Sequence, residues 1–397
     1  MDLSSLRLLL APAGQAALDA AIQLEPREVD FLEHFQQLSR SYPEPLARAA
    51  LETAILRREA ASKFPFAAQM YFTRQSLEQA SSWEIATCRA ARYSSFDVLA
   101  DLGCSVGSDT LALAAAAPVV AIDLDPLRLS LARANLGAID VWHEVTFVQA
   151  DLSDPLPLAR PPTGKRQDAA LFFDPARRSG GRRVFSVSEY RPALQIVHNW
   201  LPDFPALGVK ISPGVKLREL SGYDAEIEFI SLKGDLKEAV LWFGPLKSAQ
   251  RRATLLPGGY TLVSSGDRKL PIREPRGIIY EPDPAILRAG LVATLGDQLE
   301  AAQLDPDIAY LTADAHQPTP FARAWAVEDW FPFGLKRLRA YLRQRGVGSV
   351  TVKKRGSPLR PEALIKDLRL SGDEQRVIFL THLRGQPVVV VATPGVL

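Results

Sequence analysis

Four short apolar runs that each end at an aspartate constrain the fold of this chain more than any other feature. The aspartates are Asp101, Asp123, Asp151 and Asp174, and helix-forming stretches rich in alanine and leucine separate the first three runs. Strands that alternate with helices form a parallel sheet with right-handed crossovers, and continuously apolar strands indicate burial on both faces. Ligands bind outside the carboxyl ends of such strands, so the four carboxylates are expected along one ligand-binding edge.

The rest of the chain divides by its hydrophobic pattern. An N-terminal region with apolar residues at helical spacing predicts a helical domain. The sheet continues beyond Asp174 and is expected to finish in an antiparallel hairpin, and a glycine- and proline-containing linker or small β-hairpin follows. A second α+β pattern, in which residues 284–301 are expected to form a helix, completes the chain. The predicted domains are residues 1–95, 96–245, 246–275 and 276–397.

Composition favours a cytoplasmic enzyme. The net charge is only +2, so any nucleic-acid surface must come from local clustering. The two cysteines do not indicate a disulfide framework, and no spacing resembles a metal site, so no metal is expected. The short apolar run near the N-terminus is interrupted by Arg7, which makes a poor signal peptide, and no apolar stretch is long enough to span a bilayer.

The turn after the first strand predicts the ligand. Gly103 and Gly107 allow a tight turn and close approach to a ligand. An acid immediately before the turn, Asp101, suits a cationic group rather than a pyrophosphate. Asp123 is placed to accept hydrogen bonds from ribose hydroxyls, and Asp151 from an adenine amine. Together these acids predict a binding site for S-adenosylmethionine. The alternative is that each acid simply caps a helix. The predicted donor-binding residues are Asp101, Gly103, Ser105, Gly107, Asp123, Leu124, Asp151 and Leu152.

Several segments carry a resemblance to a known family. Residues 96–245 resemble the class I S-adenosylmethionine-dependent methyltransferases, and the whole chain resembles a bacterial family of predicted methyltransferases with a THUMP-like C-terminal domain. The resemblance implies a Rossmann-like sheet, a C-terminal α+β region of ferredoxin-like or THUMP-like type, and an RNA substrate. Ser105 departs from the usual middle glycine of the turn, and a serine fits if its backbone angles are ordinary. The matching segments are Ser76–Ala80, Asp101–Gly107, Phe173–Arg178, Lys210–Gly214 and Glu281–Pro284.

The segment after the fourth strand is expected on the acceptor side of the site. Asp174, Pro175 and Arg177 are the predicted catalytic residues: Asp174 to orient or deprotonate a nitrogen, Arg177 to stack on a base or hold a phosphate. Arg177 could equally pair with a surface carboxylate. No cysteine nucleophile follows this strand, so direct transfer to nitrogen or oxygen is favoured over a covalent adduct.

Basic residues predict contacts with RNA phosphates. Eleven basic residues lie between Lys336 and Arg369, opposed only by Glu362 and Asp367. The nearby aromatic residues Trp325 and Phe331 are better explained by core packing than by stacking on bases. The predicted RNA-binding residues are Arg178, Arg182, Arg183, Lys210, Lys353, Lys354 and Arg355.

The sequence therefore favours a methyltransferase that acts on a nitrogen of a structured RNA. Two alternatives stay open: a methyltransferase for a protein or small molecule, and a non-catalytic RNA-binding protein with a vestigial donor pocket. A nicotinamide dehydrogenase is disfavoured because the Gly-x-Gly-x-x-Gly pattern is missing.

Overall fold

A computed structural model describes residues 1–139, 143–159, 168–176, 178–179, 182–183, 186–264, 266 and 269–395. The chain forms two compact units. The first comprises Met1–Glu226 and Ala239–Ser248, and the second comprises Ile227–Glu238 and Ala249–Leu397.

The first unit begins with helices, as the apolar spacing predicts. The Asp2 side chain caps the first helix by accepting from the backbone N–H of Ser5, and Pro12 begins the second helix. The helices are α1 (Leu3–Leu10), α2 (Pro12–Gln23), α3 (Phe31–Leu38), α4 (Glu44–Ala60), α5 (Arg74–Gln79) and α6 (Trp83–Ala90).

A sheet follows, most of it in the same unit, whereas residues 227–238 belong to the second unit. Its first three strands alternate with helices along the chain, and two-residue strands follow the fourth long strand. The elements are β1 (Val98–Leu102), α7 (Ser108–Leu113), β2 (Val119–Asp123), α8 (Pro126–Ala138), β3 (Val145–Gln149), β4 (Ala169–Phe173), β5 (Arg178–Ser179), β6 (Arg182–Arg183), α9 (Val197–Trp200), β7 (Ala206–Ile211), β8 (Glu226–Leu232) and β9 (Asp235–Phe243).

The strand order confirms the Rossmann-like prediction. Within the first unit the order is β3-β2-β1-β4-β7, all parallel, and residues 239–243 of β9 pair antiparallel with β7. The order reverses on either side of β1, which places a topological switch point at its carboxyl end. Every residue of β4 and β7 is buried, as expected for strands covered on both faces.

The N-terminal helices pack into the same hydrophobic core as part of the sheet region. Leu6, Leu18 and Leu51 belong to one buried cluster with Val106 of the turn after β1 and with Leu136 of α8. The boundary predicted near residue 95 thus lies inside a single packed unit.

The second unit contains a seven-stranded sheet in the order β13-β14-β12-β15-β18-β17-β16, in which only β16 and β17 are parallel. Two further strands form a hairpin that joins β8 by parallel pairing. The elements are β10 (Arg251–Leu256), β11 (Tyr260–Val263), β12 (Ile278–Pro282), α10 (Pro284–Ala289), α11 (Val292–Gln298), β13 (Ala302–Asp305), β14 (Ile308–Ala313), β15 (Ala322–Pro332), α12 (Leu335–Gln344), β16 (Val347–Lys354), α13 (Pro361–Leu368), β17 (Glu374–Leu383) and β18 (Gln386–Ala392).

Two local features of this unit differ from the expectation. The single helix expected over residues 284–301 is two helices, because Gly290 adopts a left-handed conformation (φ 73°) that ends α10. The eleven-residue strand β15 was not predicted, since its burial does not alternate along the strand. Trp325 and Phe331, both in β15, are 2% exposed, so core packing is the correct explanation for them.

In the part of the chain that the structure describes, every helix is too short or too polar to cross a bilayer.

Candidate functional site

The turn after β1 forms the floor of the candidate site. The backbone N–H groups of Gly103 and Cys104 both donate to the carbonyl of Ile122 at the end of β2, with N···O distances of 2.8 and 2.9 Å. The turn is thus anchored at the switch point, where open parallel sheets bind ligands.

Three residues of this turn adopt left-handed backbone angles. Gly103 has φ 88° and Gly107 has φ 80°, and a Cβ atom at Gly103 would lie 2.8 Å from the carbonyl oxygen of Asp174. Ser105 has φ 51°, so the condition under which a serine fits this turn without strain, ordinary backbone angles, is not met. Its Cβ approaches backbone atoms in that conformation, which costs about 1–2 kcal/mol for a residue other than glycine. The turn is therefore strained at Ser105.

The Ser105→Gly variant is expected to be slightly more stable than the native protein. Glycine removes the left-handed strain of about 1–2 kcal/mol, and the greater entropy of the unfolded chain offsets about 0.4–1 kcal/mol of that gain. We expect a rise of about 1–4 °C in the melting temperature, measured by thermal unfolding. Because the N–H of residue 105 is retained, ligand affinity should stay within about twofold. A lower melting temperature would show that the serine side chain stabilises the turn.

Asp101 lies fully buried beneath the turn. One carboxylate oxygen, Oδ2, accepts from the Thr110 hydroxyl at 2.5 Å, and the other, Oδ1, has no hydrogen-bond partner among the described residues. Burial raises the pKa of Asp101 well above its usual range, and the nearby Asp109 and Asp174 carboxylates raise it further. An unpaired buried oxygen of this kind is costly unless a ligand completes its bonding.

A buried ion pair lies behind Asp101. The Arg89 guanidinium pairs with Asp109, and it also stacks over the Phe172 ring at 4.8 Å from the ring centroid. Sequence reasoning missed Arg89 and Thr110, because neither stands in a recognisable motif.

Asp123 and Leu124 lie at the end of β2. The two Asp123 carboxylate oxygens accept from the backbone N–H groups of Asp125 and Ser105, each at 2.9 Å. Since a carboxylate oxygen has two lone pairs, Asp123 retains acceptor capacity for two hydroxyl groups. Burial raises its pKa. Leu124 is 59% exposed, so an apolar surface lies next to this carboxylate.

At the end of β3, Asp151 is exposed and its Oδ1 accepts from the backbone N–H of Ser153 at 2.8 Å, while Leu152 is buried. None of the four strand-end aspartates caps a helix among the described residues; the residue that caps α8 is Asp125. The alternative that these acids are only helix caps is therefore wrong.

Asp174 connects the turn after β1 to the acceptor side of the sheet. Its N–H donates to the carbonyl of Leu102 at 3.0 Å, and the Lys210 ammonium of β7 donates to its Oδ2 at 2.7 Å. The Lys210 side chain is only 2% exposed. The prediction that Lys210 contacts RNA phosphates is thus not supported, because its charge is buried against a carboxylate.

The other acceptor-side predictions stay predictions. Pro175 is buried next to Asp174. Arg177 lies outside the described residues. Arg178, Arg182 and Arg183 lie in the β5–β6 pair, and their side chains also fall outside what the structure describes.

Two basic residues at the end of β16 and just after it contact Glu281. This acid lies outside residues 336–369, where the acidic residues were counted. The Lys353 ammonium donates to Glu281 at 2.6 Å, and Arg355 lies 4.0 Å from the same carboxylate. Lys354 is exposed, and its ammonium donates to the carbonyl of Leu359 at 2.9 Å. Glu281, which lies 72 residues before Lys353, therefore reduces the positive charge expected here.

Taken together, the residues at this edge fit a cationic nucleoside. Asp101 offers an unpaired buried oxygen, Asp123 offers acceptors for hydroxyl groups, and Leu124 offers an exposed apolar side chain. Among the residues with described positions, no cluster of three or more histidine, cysteine or carboxylate side chains could hold a metal ion.

Comparison with known proteins agrees with this arrangement. Residues 322–394 match the THUMP domain-like family, and residues 2–60 match a domain of unknown function, DUF8688. Proteins from two Mycobacterium tuberculosis strains, both described as uncharacterized S-adenosylmethionine-dependent methyltransferases, are 34% identical over 344 residues, which is 84% of this chain and 92% of theirs. A crystal structure of a candidate methyltransferase from Porphyromonas gingivalis W83 shares the fold, with a TM-score of 0.75 at 19% identity over 93% of this chain and 99% of that one. The chain thus belongs to the S-adenosylmethionine-dependent methyltransferases.

Proposed function

We propose that this methyltransferase modifies a nitrogen atom of a structured RNA. The observation that carries the proposal is the position of Asp174. Its backbone is hydrogen-bonded to the end of β1, directly before the donor turn, and its carboxylate is paired with the buried Lys210. A carboxylate so close to the donor turn suits an acceptor that carries N–H groups.

The Lys210 ammonium lies 2.7 Å from Asp174 Oδ2, and this ion pair fixes the orientation of the carboxylate. An ionised carboxylate accepts hydrogen bonds and donates none, so it can hold the N–H of an amine and then take its proton. The Pro175 carbonyl is a second acceptor beside it. Asp174 and Pro175 would thus orient a nitrogen lone pair toward the donor.

The donor side supplies the methyl group. When bound, S-adenosylmethionine carries an electrophilic methyl group on a positively charged sulfur. Asp101 and Asp123 would bind its ammonium and ribose groups, and the turn would fix its position relative to Asp174. Holding both reactants in line is the largest contribution that such a site can make to the rate.

Support for an RNA substrate comes from the C-terminal region. The THUMP domain-like match covers residues 322–394. Within it, the basic residues Lys336, Arg337, Arg343 and Arg345 of α12 and its C-cap are exposed, as is Lys366 of α13. A local excess of positive charge binds the RNA backbone by releasing its counterions.

The direct test is transfer of a labelled methyl group from S-adenosylmethionine to total cellular RNA and, separately, to protein extract. We expect label in RNA at a nitrogen of one nucleotide, identified by mass spectrometry after nuclease digestion. Label that appears only in protein would overturn the proposal and favour the alternative substrate class.

RNA binding is expected to weaken steeply with salt. In the Lys336→Ala/Lys366→Ala variant, the slope of log affinity against log salt should fall by about two, because about one counterion is released for each phosphate contact. The exposed pair Arg7 and Arg40 of the first unit offers the control, since Arg7→Ala/Arg40→Ala removes the same charge elsewhere. Equal slopes in both variants would argue against this surface as the RNA contact.

A further inference from the structure

Asn135 of α8 is fully buried beside the donor turn and makes three hydrogen bonds. Its Oδ1 accepts from the backbone N–H of Tyr71 at 2.6 Å, and its Nδ2 donates to the carbonyls of Tyr71 at 3.1 Å and Val106 at 2.9 Å. The amide thus joins the segment before α5 to the centre of the donor turn.

The Val106 carbonyl lies between the two left-handed residues Ser105 and Gly107. Strained backbone of this kind persists only where the surrounding structure fixes it. Leu136, next to Asn135 in α8, contributes to the same constraint, since a Cβ atom at Gly107 would lie 2.7 Å from its side chain. Two side chains therefore bond to this segment, Asp123 at the Ser105 N–H and Asn135 at the Val106 carbonyl, and Asn135 is the one that connects it to the N-terminal region.

The other end of the connection is also held in place. Gln15 of α2 bonds to the Tyr71 hydroxyl at 3.2 Å. Arg57 of α4 donates to the Met70 carbonyl at 2.8 Å and stacks over the Tyr71 ring at 4.7 Å. The N-terminal helices therefore fix the Tyr71 backbone to which Asn135 is bonded.

We propose that Asn135 is a positioning residue for methyl-donor binding, through which the N-terminal helices hold the donor turn in its strained conformation. This assigns a role to the helical region, whose family match carries no known function. The proposal rests on the donor-site part of the proposed function and is independent of the RNA substrate.

The chemistry requires an amide at this position. Only a side chain with both an acceptor and an N–H₂ donor can satisfy one N–H and two carbonyl groups. An aspartate would keep the bond from the Tyr71 N–H but would place a carboxylate oxygen against two carbonyl oxygens. Asn135→Asp therefore changes the constraint on the turn with almost no change in volume.

The test is the dissociation constant of S-adenosylmethionine, measured by calorimetry on the full chain, with thermal unfolding recorded for each variant. We expect Asn135→Asp to weaken binding at least tenfold. The control Leu338→Ala, which removes a fully buried side chain from a separate core in the second unit, should lower the melting temperature but change affinity less than twofold.

A second variant separates positioning from loss of stability. Ser105→Gly removes the strain that Asn135 opposes, so Asn135→Asp/Ser105→Gly should recover most of the lost affinity. If Asn135→Asp does not fold, Arg57→Leu, which loosens the Met70–Tyr71 segment, should weaken binding about threefold and respond to Ser105→Gly in the same way.

Normal affinity in Asn135→Asp, or equal weakening in Leu338→Ala, would overturn the inference. A loss of affinity in Asn135→Asp that Ser105→Gly does not reverse would also overturn the inference. If Arg57→Leu is measured instead, unchanged affinity in that variant would overturn it. A native protein that binds no donor would instead refute the donor site itself, so the two failures are distinguishable.

Discussion

Replacing Asp101 with asparagine is expected to weaken S-adenosylmethionine binding by about 30-fold or more, because loss of a buried charged partner costs about 2 kcal/mol or more. The carboxyl group is fully buried and one of its oxygens is unpaired among the described residues, so a bound cation favours its ionised form and pairs with it. Calorimetry on both proteins measures the effect. An affinity within threefold of the native value would contradict this role for Asp101.

The same substitution is expected to stabilise the donor-free protein at alkaline pH. Because the folded state raises the pKa of Asp101, the folded protein keeps a proton that the unfolded chain loses. The contribution to stability is full below the ordinary carboxyl pKa and is lost as pH rises through the raised folded value. Asparagine carries no titrating proton, so the melting temperature of the variant should exceed the native one by about 2 °C or more at pH 8 and by less at pH 5.

The Asp174→Asn variant is expected to lower kcat by about 10²–10⁴-fold while donor affinity changes less than threefold, since removal of a general base costs rate rather than donor binding. Asparagine keeps the shape of the side chain but cannot take a proton from the acceptor. Single-turnover methyl transfer with the identified RNA measures the chemical step, and calorimetry measures donor binding.

Asp154→Asn is the matched control, because Asp154 is an exposed carboxylate at the same edge of the sheet and should leave kcat within twofold of native. Equal kcat values for Asp174→Asn and the native protein would remove Asp174 from the mechanism. Loss of donor affinity in parallel with kcat would place Asp174 on the donor side instead.

The sheet and its ligand edge could be predicted from the sequence because their signals are local. The apolar runs that end at Asp101 and Asp123 form β1 and β2, since each is a short run that stops at a turn. An aspartate at a strand end needs no other residue to be recognised, so Asp101, Asp123 and Asp174 could be named as candidates at once.

The support around these residues could not be predicted in the same way, because it depends on contacts between distant positions. The sequence predicts that Lys210 is a cation available to phosphates, but its ammonium pairs with the Asp174 carboxylate, 36 residues earlier. Asn135 bonds to a backbone 64 residues away, and no local pattern distinguishes it from a surface asparagine. The left-handed angles of Ser105 follow from these constraints and not from the preferences of serine.

Carboxylates at successive strand ends are expected to bind a positively charged sulfur nucleoside. A crystal structure of the protein with S-adenosylmethionine bound tests this expectation. We expect the donor against Asp101, Asp123 and Leu124, with its methyl group directed toward Asp174. A donor bound at another edge of the sheet, or in contact with none of these carboxylates, would contradict it.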